Sequence, residues 1–524
     1  MNAFSAGAAL CIWAGILSVL IATQAIAQTP ADVTAAGRQA DQVQRTQQEQ
    51  LRQGQPQPGA PSGTVAAPPT VATRGDQDQQ CFNIRRIHVT GVQLIEPDDI
   101  SSAVQPFENK CLDLVGLNNV LQQITFLYVS RGFVASRAYL PEQDIGDNNL
   151  EVVVVEGELT DIVVNGEPEA HQGKIATAFP GLKGKPLNLR DVEQGLDQIN
   201  RLRSRNATVK LEPGSAQGKT QLNVEENTGK PWHVTVGADN LGSEASGDYQ
   251  RTAGLEVDNV LGLNDRFTFN IQESVSDKVW RTTQDEPYGQ LFSGSFSIPY
   301  GYWLFSLDAS KSRYFSTIEG TTSDIETSGE SYLVNAYVDR VVHRDQTSKT
   351  NFTGGFTFKD NDTFILGSLV DVSSRKLSIG SIGFSHARQA AGGLLAGTVT
   401  YHQGLDILGA FDDDTAPEGS PKGQFRKITG SLSFTRPFTV GSVSLVYNGY
   451  ATVEWGVDAL FGSEQTAFGS YSSVRGLPEP QVFGNRSVLW RNDLGLRLPT
   501  VPDQPELTSW FGQLEPYIGL DVGK

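Results

Sequence analysis

The chain reads as a mainly β protein, a transmembrane antiparallel β-barrel preceded by two small β-α-α-β-β modules. Three observations carry this reading: short amphipathic strands follow one another from Trp232 onward, glycine is frequent (54 of 524 residues), and no stretch after the first 27 residues is a long apolar run. A spanning helix would need ~18–20 such residues in succession. Phe267, Phe269 and Ile271 face one way, and Arg266, Thr268, Asn270 and Gln272 the other. Phe352, Gly354, Phe356 and Phe358 repeat this against Thr353, Gly355, Thr357 and Lys359, as do Val443, Leu445, Tyr447 and Gly449 against Ser442, Ser444 and Asn448. A strand in lipid must satisfy its backbone through neighbouring strands and shows hydrocarbon on one face, so a closed barrel with a polar lumen gives this period of two. A large soluble β-sandwich is the alternative that alternation alone leaves open.

The elements follow in order. Residues 1–27 hold an apolar core, Ala8 to Ala22, then Ala25-Ile26-Ala27 with small residues where a signal peptidase reads, so we expect a secretory signal cleaved after Ala27. Its first residues lack Lys and Arg, which departs from the usual pattern. Residues 28–52 are rich in Ala, Gln, Arg and Glu with few apolar positions, a polar helix without its own core. Residues 53–80 carry Gly, Pro, Gln and Ser and form a flexible linker, roughly 80–90 Å if fully extended. Composition alone fits a disordered tail over both segments equally well.

Cys11 leaves with the signal, so Cys81 and Cys111 remain, in an oxidising compartment where they can pair; two free thiols are the other possibility. Bridging them would restrict the unfolded chain by roughly 3–4 kcal/mol. Residues 81–158 open with Asn83 to Val89, a strand ending at Gly91; Pro97 suits a helix start, and Val120, Leu121, Ile124 and Leu127 fall at helical spacing before Gly132. Strands follow at 133–140 and 150–156. Residues 159–228 repeat the order, with strands at 159–165, 207–211 and 220–224 and helices at 171–179 and 187–202. The barrel occupies 229–524, with strands expected near 232–240, 249–259, 265–275, 288–298, 302–313, 331–343, 348–359, 377–386, 394–403, 425–435, 442–451, 486–497 and 511–520.

Several stretches resemble one family. Tyr128-Val129-Ser130-Arg131-Gly132-Phe133, Pro141-Glu142-Gln143-Asp144-Ile145 and Leu150 to Gly157 resemble the first POTRA domain of the two-partner secretion outer-membrane transporters, the haemolysin activation/secretion proteins. Leu187 to Leu196 and Pro213-Gly214 look like their second POTRA domain, and Asp239-Asn240-Leu241-Gly242-Ser243, Asp258-Asn259 and Gly262 to Asp265 look like the start of their barrel. Ser473-Val474-Arg475-Gly476-Leu477, preceded by Leu460 to Gln465, is similar to the Val-Arg-Gly-aromatic tip of the sixth loop that folds back into the barrel, with Leu477 in place of the aromatic. Tyr517 to Gly523 resembles the wall motif whose Asp faces that tip.

The resemblance implies a sixteen-stranded barrel, against about thirteen strands counted here, so a chain truncated at its C-terminus by three strands is the expectation. It places the 28–52 helix inside the pore. It makes Val474, Arg475, Gly476 and Leu477 a gating loop tip and Asp521 and Gly523 its wall partner, with Arg475 held by Asp521 through a charge-assisted, bidentate contact. It further implies export of an unfolded exoprotein without ATP; no Gly-rich nucleotide loop is present. An extended client can add a strand to a POTRA edge, and the candidate edges carry Phe133, Tyr139 and Leu140 in the first module and Val209 and Leu211 in the second. The expected partners are such an exoprotein and the lipid and lipopolysaccharide of a Gram-negative outer membrane.

Other classes are disfavoured. A net charge of -18 argues against nucleic-acid binding. The six His residues show no metal-ligand spacing and no catalytic constellation is visible, so neither an enzyme nor a cofactor is expected. Asp412-Asp413-Asp414 reads as an acidic surface loop rather than a calcium site. A POTRA-bearing assembly factor for membrane proteins is the alternative function; such proteins usually carry more POTRA copies. A passive porin would not need the two modules.

Overall fold

The computed structural model describes residues 81–524 apart from 146, 168–171, 217, 241, 243–246, 276–286, 319–324, 416, 470–472, 476–481 and 499–514. The expected signal segment, pore helix and linker lie outside the described residues, as do Gly476 and Leu477.

The first module holds β1 (Phe82–Ile84), β2 (Arg86–Thr90), helices Pro97–Val104 and Leu114–Ser130, β3 (Lys110–Leu112), β4 (Arg137–Tyr139) and β5 (Asn149–Val155). The long helix starts where Asp113 accepts the Gly116 N–H, and Val120, Ile124 and Tyr128, one turn apart, are buried. They cover Leu150, Val152 and Val154, the inward phase of β5. β5 is central, parallel to β2 and antiparallel to β4. The expected strand at 133–140 shortens to β4, because Phe133, Val134 and Ser136 bond back to the helix end and to each other in a turn. Phe133 packs half-buried on the core, edge-on to Tyr128. Cys81 and Cys111 form a disulfide beside the β1–β3 pair.

The second module holds β6 (Glu158–Val164), helices Gln172–Ala178 and Leu189–Asn200, β7 (Arg205–Pro213) and β8 (Lys219–Thr228). Its sheet order is β6-β8-β7. Asn188 caps the long helix through the Arg190 N–H. Gly195 on that helix faces Phe179 so closely that a Cβ would lie 2.1 Å from the ring.

The remaining strands form one antiparallel meander in chain order: β9 (Trp232–Asp239), β10 (Tyr249–Asp258), β11 (Arg266–Val275), β12 (Tyr288–Tyr300), β13 (Trp303–Ile318), β14 (Ile325–Arg344), β15 (Ser348–Ile365), β17 (Arg375–Ala390), β18 (Gly393–Leu405), β19 (Arg426–Val440), β20 (Val443–Gly456), β23 (Arg486–Arg497) and β24 (Tyr517–Gly523). A two-residue β16 (Ser368–Leu369) joins β15 at the rim. Each of the thirteen expected strands has its counterpart; the last is displaced, from 511–520 to Tyr517–Gly523. Phe267, Phe269 and Ile271 are exposed on the outer face, and the register carries that face on through Phe296, Leu307 and Ala336. The inner face is polar and buried: Asp308, Ser310, Asn335, Lys359 and Asn361. No helix among the described residues is long and apolar enough to cross a membrane.

Tight turns lie at one barrel end, at 259–265, 301–302, 345–347, 391–392 and 441–442, and the second module docks on the first two and on Arg344 and Lys349, which flank the third. Replacing Cys81 and Cys111 by Ala should lower the first module's stability by roughly 3–4 kcal/mol, with a normal second module and barrel. Hydrogen exchange of the full chain, resolved by region, checks this; a uniform loss across all three would contradict it.

Candidate functional site

Between β20 and β23 runs the long sixth loop, which carries a short helical turn Gly462–Glu464 and a hairpin of β21 (Thr466–Phe468) and β22 (Val482–Gly484). It enters the lumen and is held there at two points. At its tip the Arg475 guanidinium gives two bonds to Asp521, 2.7 Å from Nε and 2.6 Å from Nη2, while Nη2 also meets Asp493 at 2.7 Å. The Arg475 backbone N–H adds a 2.9 Å bond to Asp521.

The wall is shaped for this arginine. Tyr517, Gly519 and Asp521 are alternate residues of β24 and share its lumen face. Arg475 lies over the Tyr517 ring, and a Cβ on Gly519 would come within 2.4 Å of Arg475 Nη2. Gly519 is therefore a space requirement. A Cβ on Gly523 would sit 3.0 Å from the Val474 side chain, which places both residues at the same contact. Arg491 on β23 stands 3.6 Å from Asp521 and balances the second carboxylate.

The second anchor, eleven residues earlier, was not anticipated from sequence. Glu464 is buried against Lys359 of β15 and Lys427 of β19, the latter at 2.9 Å, and Lys427 also donates to the Glu464 carbonyl. The three side chains are only 2–5 % exposed. Such a pair is costly to form and costlier to break one-sidedly, because a lone buried charge keeps its desolvation penalty. The signal was present: Lys359 is a cation on the lumen phase of an otherwise small and polar run, and Glu464 lies inside the loop motif.

The second module is fixed to the rim by a comparable seam. Arg344, 1 % exposed at the end of β14, meets Asp197 at 2.5 Å and Glu193 at 3.3 Å, and Lys349 reaches Asp197 at 3.2 Å. Gln194 and Gln198 donate to the Gly301 carbonyl while the Gly301 N–H donates to Thr177. The Tyr302 hydroxyl donates to Asp191 at 2.6 Å. Burial, then that carboxylate, pushes the phenol above its ordinary value. Arg201 reaches Ser297 and the Asn264 carbonyl, both at 2.7 Å.

Among the client-binding candidates, Tyr139 and Leu140 are exposed beside β4, an edge strand, and Leu211 is exposed on β7, the other edge, while Val209 packs inward. His233, Glu256 and Asp258, which linear spacing does not connect, bring ligand atoms within 4.8 Å of one another across β9 and β10. Arg266 on Glu256 and the Ser204 N–H on Asp258 tie two of them into the seam.

Residues 218–524 match the family described as haemolysin secretion/activation protein ShlB/FhaC/HecB. The chain belongs to this family. Residues 82–157 match the ShlB-type POTRA domain and 158–213 a POTRA domain. The outer membrane transporter CdiB of Dickeya dadantii is 33% identical over 422 residues, covering 80% of this chain and 74% of that protein. The hemolysin transporter protein ShlB of Serratia marcescens is 26% identical over 448 residues, 86% of this chain and 76% of that one. The solved structure of CdiB from Escherichia coli superposes with a TM-score of 0.76 at 30% identity, covering 90% of this chain and 85% of that one. As a member of the haemolysin secretion/activation family, the protein is an outer-membrane transporter of two-partner secretion.

Three substitutions test this geometry. Glu464→Gln should destabilise the loop base by roughly 3–5 kcal/mol by removing the buried carboxylate charge that Lys359 and Lys427 share, and Gly519→Ala should displace Arg475 and raise pore conductance. Urea titration of the purified barrel followed by heat-modifiable mobility reads the first, and planar-bilayer current the second. Arg344→Ala, which leaves Glu193 to Arg190 and Asp197 to Lys349, should weaken the seam, read as faster proteolytic release of residues 81–228.

Proposed function

We propose that the two POTRA modules lie in the periplasm, take hold of an unfolded exoprotein, and pass it through the barrel lumen to the cell surface. The observation that carries this reading is the buried seam around Arg344, which fixes the second module, with its long free edge β7, at the mouth of a polar lumen. An extended client pairing with β7 gains backbone hydrogen bonds that are indifferent to its side chains, and exposed Leu211 gives selectivity. The relatives are named for haemolysin transport and as CdiB transporters, so the client is an exoprotein of that class. No bond is made or broken: the barrel is a conduit, not an enzyme, and export is driven by folding of the client outside.

Lipid and lipopolysaccharide complete the partner set. Above the apolar band the outer face becomes charged, with Arg251 against Glu273, Arg313 and Lys311 against Glu330, and Lys376 against Asp360. That belt matches the phosphate level of an outer leaflet.

Deleting residues 81–226 should abolish secretion of a co-expressed haemolysin-type exoprotein and leave small-solute leakage largely unchanged. Retained secretion would overturn the proposal.

A further inference from the structure

Where the second module meets the barrel rim, a cleft of about 730 Å³ opens. Tyr300, Trp303 and Arg340 form its barrel wall; Asn188 and Arg190 stand on the module side. We propose that this cleft binds the headgroup of an anionic phospholipid from the inner leaflet of the outer membrane. The proposal rests on the outer-membrane placement with the POTRA end in the periplasm.

Tyr300, Trp303 and Arg340 are register partners on three adjacent strands and all face outward. One step further along the same face come Ile298, Phe305 and Val338, the start of the apolar band. The cleft thus lies at the border where hydrocarbon gives way to water, and an indole and a guanidinium are the side chains that suit that level. Arg340 stacks on the Trp303 ring at 4.8 Å, and that ring stacks on Phe305.

The other cations at the cleft are committed. Arg190 holds Glu193, Arg131 holds Asp99, and Arg344 holds Glu193 and Asp197. Arg340, by contrast, has no carboxylate partner among the described residues; its one contact is the Trp303 ring. An exposed, planar fork of donors fixed by stacking at a membrane border is complementary to a phosphodiester. The glycerol end of the headgroup then faces Asn188 and Arg190, and the acyl chains run along Phe305 and Val338. A free phosphate would fill the polar side only, whereas the cleft opens onto the apolar face; lipid A belongs to the opposite leaflet. The bound lipid would bridge the rim and the second module beside the Arg344 seam.

The test is native mass spectrometry of the purified full chain in detergent, titrated with dioleoylphosphatidylglycerol or dioleoylphosphatidylethanolamine. We expect one phosphatidylglycerol to be retained in preference to phosphatidylethanolamine, with retention falling about tenfold in Arg340→Gln, equivalent to about 1.4 kcal/mol, and less in Arg340→Lys. Arg436→Gln, an exposed arginine toward the same end of β19 and outside the cleft, should leave retention unchanged. Heat-modifiable mobility confirms that each variant is folded, and Trp303→Leu, which removes the stacking platform, stands in if Arg340→Gln does not fold. Equal retention of the two lipids, retention unaffected in the folded variants, or displacement by inorganic phosphate alone would overturn the proposal. The readout needs no client, so it stands or falls separately from export.

Discussion

A strand in hydrocarbon can give its backbone groups only to neighbouring strands, and it must be apolar on one face and polar on the other. This constraint governs most of the molecule. It sets the period of two from Trp232 onward, the antiparallel meander, and a lumen lined with Asp308, Asn335, Lys359 and Asn361. A lumen of this kind needs charges held in pairs, because an unpaired one has lost much of its hydration. Lys359 and Lys427 meet Glu464, and Asp521 and Asp493 meet Arg475. The sixth loop, which enters the lumen, thus supplies counter-charges to the wall.

The two anchors differ physically. Glu464 is almost fully enclosed between two lysines, whereas at the tip Asp521 is enclosed at 5 % but Arg475 is 17 % and Asp493 29 % exposed. Water therefore reaches the Asp493 side of the tip more readily than the base. At the seam Arg344 is enclosed while Asp197 stays partly open, so that contact lies between the two patterns.

Much of this was legible in the sequence because alternation and helical spacing are local. The thirteen strands and the two modules were readable from residues 81–524, the Cys81–Cys111 pairing was one of two readings left open, and the approach of Arg475 to Asp521 was implied by the family resemblance. The strand at 133–140 misled because apolar residues in a turn and in a strand look alike; Phe133 is drawn into the core by Tyr128, and only Arg137–Tyr139 pairs. Glu464, Asp493 and Arg344 were not singled out because their partners lie 18 to 151 residues away.

The antiparallel barrel, the positions of its strands and the family resemblance could be read from the chain, since they follow from residues close together in it and from motifs that stand in fixed order. Which lumen charges face one another, the second and drier anchor of the sixth loop, and the stacking of Arg340 on Trp303 without a carboxylate partner among the described residues emerge only in three dimensions. Those facts depend on barrel curvature and strand register, which bring distant residues to one level, and no local pattern encodes them.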